Sequence, residues 1–213
     1  MSSSVENVEV RSPKAFTPGA IVVIAACGVL LVTPVLIALM AVTLIRLSVL
    51  TFLIPAGVIA FTAYFLPVGL GNPVVRRLVR SLEADANGQQ DGFIVQMTMS
   101  PRIRSGLRAV IEDADDLGYL SFTTSELVFQ GDSVRLRIPW KLITEVRPQN
   151  IGWRGRYLYG SRIRITTTGV PNVESVSFSE RSSLLLPTSK RVTKTLRERI
   201  CAGMESARKS SAA

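Results

Sequence analysis

The sequence predicts an α+β membrane protein. An N-terminal two-helix transmembrane hairpin precedes a seven-stranded β-sandwich or barrel that a C-terminal helix closes. Three patterns carry that prediction. No charged residue occurs from Ala15 to Ile45, or from Leu47 to Val75. Beyond residue 92, apolar and polar residues alternate over several short runs, the period of half-buried strands. From Thr188 the apolar residues recur every four positions, the spacing of an amphipathic helix.

Residues 1–17 are polar and Ser-rich and read as a flexible tail. A bilayer core of about 30 Å needs about 20 apolar helical residues, so the hairpin is expected over 18–71, with helices at about 18–45 and 48–66. Both runs exceed the apolar region of a secretory signal. Pro34 offers a kink in the first helix, and Ala56, Gly57, Ala60 and Ala63 give the second a small-residue side for close packing. Arg46 falls at the turn, where its side chain reaches headgroups. Flanks rich in Lys and Arg stay on the cytoplasmic side. Arg11 and Lys14 before the hairpin, and Arg76, Arg77 and Arg80 after it, therefore predict a multi-pass protein of the cell membrane, plasma or inner, with both termini cytoplasmic.

Asn72-Pro73 starts a short helix, with Asn suited to the cap and Pro to the first turn. Val74, Val75, Leu78, Val79 and Leu82 share one face, and Arg76, Arg77 and Arg80 fall largely on the other. This reads as an interfacial helix lying at the headgroups; with its linker it covers 72–92. The remaining domain spans 93–207, with a short tail at 208–213. Its strands are expected at Phe93–Met99, Gly118–Thr123, Glu126–Gln130, Val134–Ile138, Leu142–Arg147, Arg162–Thr168 and Val173–Ser179. The closing helix runs from Thr188 to about Lys209 and carries Val192, Leu196, Ile200 and Met204 as its apolar stripe.

The run Gly118-Tyr119-Leu120-Ser121-Phe122-Thr123, then Leu127-Val128-Phe129, Ile138-Pro139-Trp140, Ile143-Thr144-Glu145-Val146 and Ile163-Arg164-Ile165-Thr166, resembles the pleckstrin-homology-like superfold. The nearest texture is that of GRAM-like and bacterial PH-like domains. The resemblance implies a binding platform for lipid, peptide or protein rather than a catalyst. The closing helix lacks the Trp that many members carry, and the stretch from Pro101 to Leu117 is long for the family.

Charge narrows the partners. After residue 75 there are 22 Lys and Arg against 14 Asp and Glu, a net +8 of the chain's +9. Such a surface favours anionic groups. The loop from Pro148 to Ser161 and the strand after it combine Trp153, Tyr157 and Tyr159 with Arg154, Arg156, Arg162 and Arg164. Arg suits phosphate, and Trp and Tyr suit a headgroup region. Trp153, Arg154, Arg156, Tyr157, Arg162 and Arg164 are therefore the candidate lipid- or partner-binding residues, and Arg76, Arg77 and Arg80 the candidate interfacial cluster. Arg102, Arg104 and Arg108 match only part of a headgroup-binding pattern. Glu112, Asp113, Asp115 and Asp116 lack the arrangement of a calcium loop and read as a solvated helix or turn, with the neighbouring arginines available for pairing.

The chain has no histidine and two cysteines, Cys27 and Cys201. No metal site, cofactor or catalytic set is expected. The reading is a non-catalytic, membrane-anchored binding or scaffolding module contacting the bilayer, anionic lipid headgroups or a membrane protein partner. The alternative is an accessory subunit of a transporter or cell-envelope complex. Nucleic acid is not the expected partner.

Overall fold

The computed structural model describes residues 8–10, 75–77, 79–80, 92–103, 114–149 and 161–212, with isolated positions at 12, 17, 19, 22, 23, 26, 37, 40, 53 and 57. Eight strands form one antiparallel sheet: β1 (Val8–Val10), β2 (Phe93–Ser100), β3 (Asp116–Phe122), β4 (Glu126–Gly131), β5 (Val134–Pro139), β6 (Ile143–Gln149), β7 (Arg162–Thr167) and β8 (Ser175–Glu180). A 3₁₀ turn at Trp140–Leu142 joins β5 to β6, and the helix α1 (Leu186–Ala212) ends the chain. The strand order is β1-β5-β4-β3-β2-β8-β7-β6. Two meanders, β2–β5 and β6–β8, are thus fused where β2 pairs with β8.

This corrects the expected fold class. The sheet is open rather than a closed seven-stranded sandwich or barrel, and it gains an eighth strand from the segment read as a polar tail. Val8 and Val10 stand opposite Leu136 and Val134, so β1 extends the β5 edge. Among the described residues, no helix is long and apolar enough to cross a membrane. That finding overturns the two-helix hairpin and the multi-pass membrane placement built on it; most of 18–71 lies outside the described residues. Of the described helices, α1 has the length, but Lys190, Arg191, Lys194, Arg197, Glu198 and Arg199 interrupt it at every turn.

Alternation sorts the sheet into two faces. Val95, Met97, Met99, Leu120, Phe129, Leu136, Ile138, Ile163, Ile165, Val176 and Phe178 point inward and form the main core with Leu196 and Ile200 of α1. Each such side chain contributes about 1.5–3 kcal/mol when fully buried. The stripe of α1 is not wholly apolar. Leu186, Ser189, Thr193, Leu196 and Ile200 are its buried residues, whereas Val192 is only half-buried.

Trp140 locks the helix to the sheet. Its Nε1 donates to the Thr123 carbonyl oxygen at 3.0 Å, and its ring stacks on Phe122 with centroids 6.0 Å apart. Gly203 of α1 lies against that ring: a Cβ there would sit 2.7 Å from Cζ2. Only glycine lets the helix come this close.

Of the acidic run, Asp115 and Asp116 are buried rather than solvated; Glu112 and Asp113 lie outside the described residues. Asp115 and Asp116 are both 0% exposed. Asp115 Oδ2 accepts from the Met99 amide at 2.8 Å, and Arg102 Nε lies 3.4 Å from its other oxygen. Asp116 Oδ2 accepts from the amides of Ser133 and Val134 at 2.8 and 2.7 Å. These carboxylates satisfy backbone donors that burial would otherwise leave unpaired.

Candidate functional site: an arginine–serine face

The second face of the sheet is half apolar and half polar. On the β2–β3 side, Val75 and Val79 pack with Ala114 and Leu117, against Ile94 and Tyr119. The two valines are 0% and 1% exposed. Val75 and Val79 of the short helix thus face the sheet, whereas Val74, Leu78 and Leu82 of its expected apolar stripe lie outside the described residues. Arg76 is half-buried, while Arg77 and Arg80 are exposed. The expected basic cluster is thus carried on the covered side of the sheet.

The other half follows from register. Directly opposed residues on antiparallel strands share a face. Arg162 stands opposite Ser179 and Arg164 opposite Ser177, while Gln96 and Thr98 of β2 stand opposite the same two serines. On the far side, Gln149 and Arg147 of β6 stand opposite Arg162 and Arg164. The result is a polar row spanning β6, β7, β8 and β2, built on Ser175, Ser177 and Ser179. The alternation that sends Val176 and Phe178 into the core puts these serines on the opposite face, where all three are also buried, at 3%, 8% and 0% exposed.

Both arginines are seated through Nε. Arg162 Nε donates to Ser179 Oγ at 3.2 Å, and Arg164 Nε donates to Ser175 Oγ at 3.2 Å. Ser177 Oγ donates to Gln149 Oε1 at 2.9 Å. The two arginines differ in setting. Arg162 is 3% exposed, and a charge so placed requires hydrogen-bonded partners. Arg164 is exposed. Arg147 pairs with Glu145 on its own strand, whereas no carboxylate among the described residues pairs with Arg164. At the exposed Arg164, a guanidinium held at Nε keeps its two outer nitrogens as a planar fork, the geometry that receives a carboxylate or phosphate.

Gln96 ends the row. It is 1% exposed, and neither its Nε2 nor its Oε1 has a hydrogen-bond partner. Sequence reasoning missed Gln96 and the three serines. The signal was present as Ser-x-Ser-x-Ser in β8, facing Arg-x-Arg in β7.

The structure therefore brings together two of the six candidate binding residues, Arg162 and Arg164, and puts the helix bearing Arg76, Arg77 and Arg80 on the same side of the sheet. Trp153, Arg154, Arg156 and Tyr157 lie outside the described residues. Arg102 is engaged with Asp115, and Arg104 and Arg108 lie outside the described residues. No group of three His, Cys, Asp or Glu side chains among the described residues could hold a metal ion.

No family model matches the chain, and neither a curated protein nor a solved structure matches it. With an open eight-stranded sheet and no matching relative, the resemblance to the PH-like superfold and its GRAM-like members is not upheld.

Proposed function

We propose that the protein is a non-catalytic binding or scaffolding module whose arginine–serine face receives an acidic group of a partner protein. The observation that carries the proposal is the seating of Arg162 and Arg164 on the β8 serines through Nε. An arginine anchored in this way loses little rotamer freedom on binding, so less of the interaction is spent on ordering it. Among the described residues no carboxylate pairs with Arg164, which leaves its charge available to a partner. Arg77 and Arg80, exposed on the same side, add to the positive field.

Binding of the full chain to poly-L-glutamate, followed by calorimetry, tests the proposal. Arg164→Met is expected to weaken binding about tenfold or more, the range of one charge-assisted hydrogen bond. Ser175→Ala is expected to weaken it less, by loosening the guanidinium without changing charge. Lys209→Met, which removes the same charge from the far end of α1, serves as control. Equal weakening by Arg164→Met and Lys209→Met would reduce the effect to net charge and defeat the proposal.

A further inference from the structure

We propose that Leu184 and Leu185, with the basic N-terminal half of α1, form a peripheral docking surface for an anionic lipid bilayer. This surface lies on the opposite side of the sheet from the arginine–serine face. It stands independently of the function proposed for that face.

The two leucines are consecutive and outward, 47% and 42% exposed, beside Leu186 at 0%. They are held there by a built turn. Glu180, 1% exposed, accepts at Oε1 from the amides of Ser182 and Ser183 at 2.5 and 2.6 Å. On the other side, the Ser189 amide donates to the Leu185 carbonyl oxygen at 2.9 Å. Fixed at both ends, the loop presents two large apolar side chains to solvent.

The helix that follows supplies the charge. Lys190, Arg191, Lys194 and Arg197 are all exposed, and the first acidic residue after Glu180 is Glu198. Lys190, Lys194 and Arg197 line one flank of α1, since the buried stripe of Ser189, Thr193, Leu196 and Ile200 fixes which side faces the sheet. No acidic residue occupies the first turn of the helix. Cations near that positive pole oppose the helix dipole, and the Lys194–Glu198 pair at 3.9 Å is an exposed contact of little weight. The excess of positive charge complements an anionic surface.

A lipid surface is the occupant that uses both features. Stable peripheral attachment requires two signals, and an apolar insertion beside a basic patch is one such pair. Nucleic acid would use the charge but leave the leucines in water, and α1 carries no aromatic side chain on which a base could stack.

The test measures binding of the full chain to phosphatidylcholine vesicles with and without phosphatidylserine, together with hydrogen–deuterium exchange over 182–197. Phosphatidylserine is expected to raise affinity, with slower exchange in that segment. Lys190→Gln/Lys194→Gln/Arg197→Gln is expected to lower the phosphatidylserine-dependent affinity about a hundredfold, since each basic residue near the surface counts for about a factor of five. Leu184→Ser/Leu185→Ser is expected to lower it about tenfold. Arg164→Met is expected to leave it unchanged. All substituted side chains are exposed, and thermal unfolding checks that each variant folds. Unaltered exchange over 182–197 in phosphatidylserine vesicles overturns the proposal. So does equal binding by the leucine variant, or binding to poly-L-glutamate that competes fully with the vesicles through this segment.

Discussion

Replacing Asp116 with alanine tests how the β3–β5 meander is held. The carboxylate is fully buried, and Oδ2 takes the amides of Ser133 and Val134 at 2.8 and 2.7 Å. Those amides lie at the turn from β4 into β5, where the chain has no ladder partner for both. Gly131 makes room for the arrangement, because a Cβ there would overlap Asp116 Oδ2. Asp116→Ala leaves two buried N–H groups without that acceptor. At about 1–3 kcal/mol for each unsatisfied donor, the loss is about 2–6 kcal/mol. Against a typical domain stability of about 5–15 kcal/mol, that is a large fraction. Asp116→Asn keeps one acceptor oxygen and is expected to lose about half as much. Urea unfolding followed by far-ultraviolet circular dichroism reads both values. A change below about 0.5 kcal/mol for Asp116→Ala, the range of an unremarkable surface substitution, would refute the structural role assigned to this carboxylate.

Three further outcomes follow from the packing. Gly203→Val drives a side chain into the Trp140 ring and is expected to cost about 1–3 kcal/mol; it should also shift the Trp140 emission, read in a Trp153→Phe background. Val75→Ser or Val79→Ser is expected to cost about 1.5–3 kcal/mol in denaturant unfolding, because both side chains are covered by the sheet; no loss of stability would return that helix to an exposed position. Trp140→Phe removes the bond to Thr123 and is expected to cost about 1 kcal/mol from that bond alone, more with the lost ring area.

Much of the sheet was legible because half-buried strands write their period into the chain. Phe93–Ser100, Val134–Pro139 and Arg162–Thr167 alternate clearly, and the helix at Leu186–Ala212 announces itself through Leu196, Ile200 and Met204. What failed has physical reasons. Val8–Val10 is too short to show a period, and its pairing with Val134–Leu136 is a long-range event. Asp115 and Asp116 read as solvated because charge suggests exposure, yet a carboxylate that accepts several backbone amides can be fully buried. Ser189 and Thr193 broke the expected stripe because a helix face against a sheet edge need not be apolar throughout. The stripe of Val75 and Val79 was read correctly as apolar, but amphipathicity names a buried face without naming what buries it. The uncharged runs at 15–45 and 47–75 suggested a transmembrane hairpin on length and hydropathy alone, which the described helices do not bear out. For the site, Arg162 and Arg164 were legible as basic strand residues. Their serine seats, three strand positions that look unremarkable alone, became visible only through register.

We propose the arginine–serine face as an organised receiver for acidic groups. The most direct measurement is the side-chain Nε–H resonances of the full chain, assigned through Arg162→Lys and Arg164→Lys and followed during titration with inorganic phosphate. Slowly exchanging Nε–H signals are expected for both arginines, held by Ser179 and Ser175, with a saturable shift at Arg164 that Ser175→Ala weakens. Averaged signals for both arginines, or an Arg164 shift no larger than that of the exposed Arg137, would contradict it.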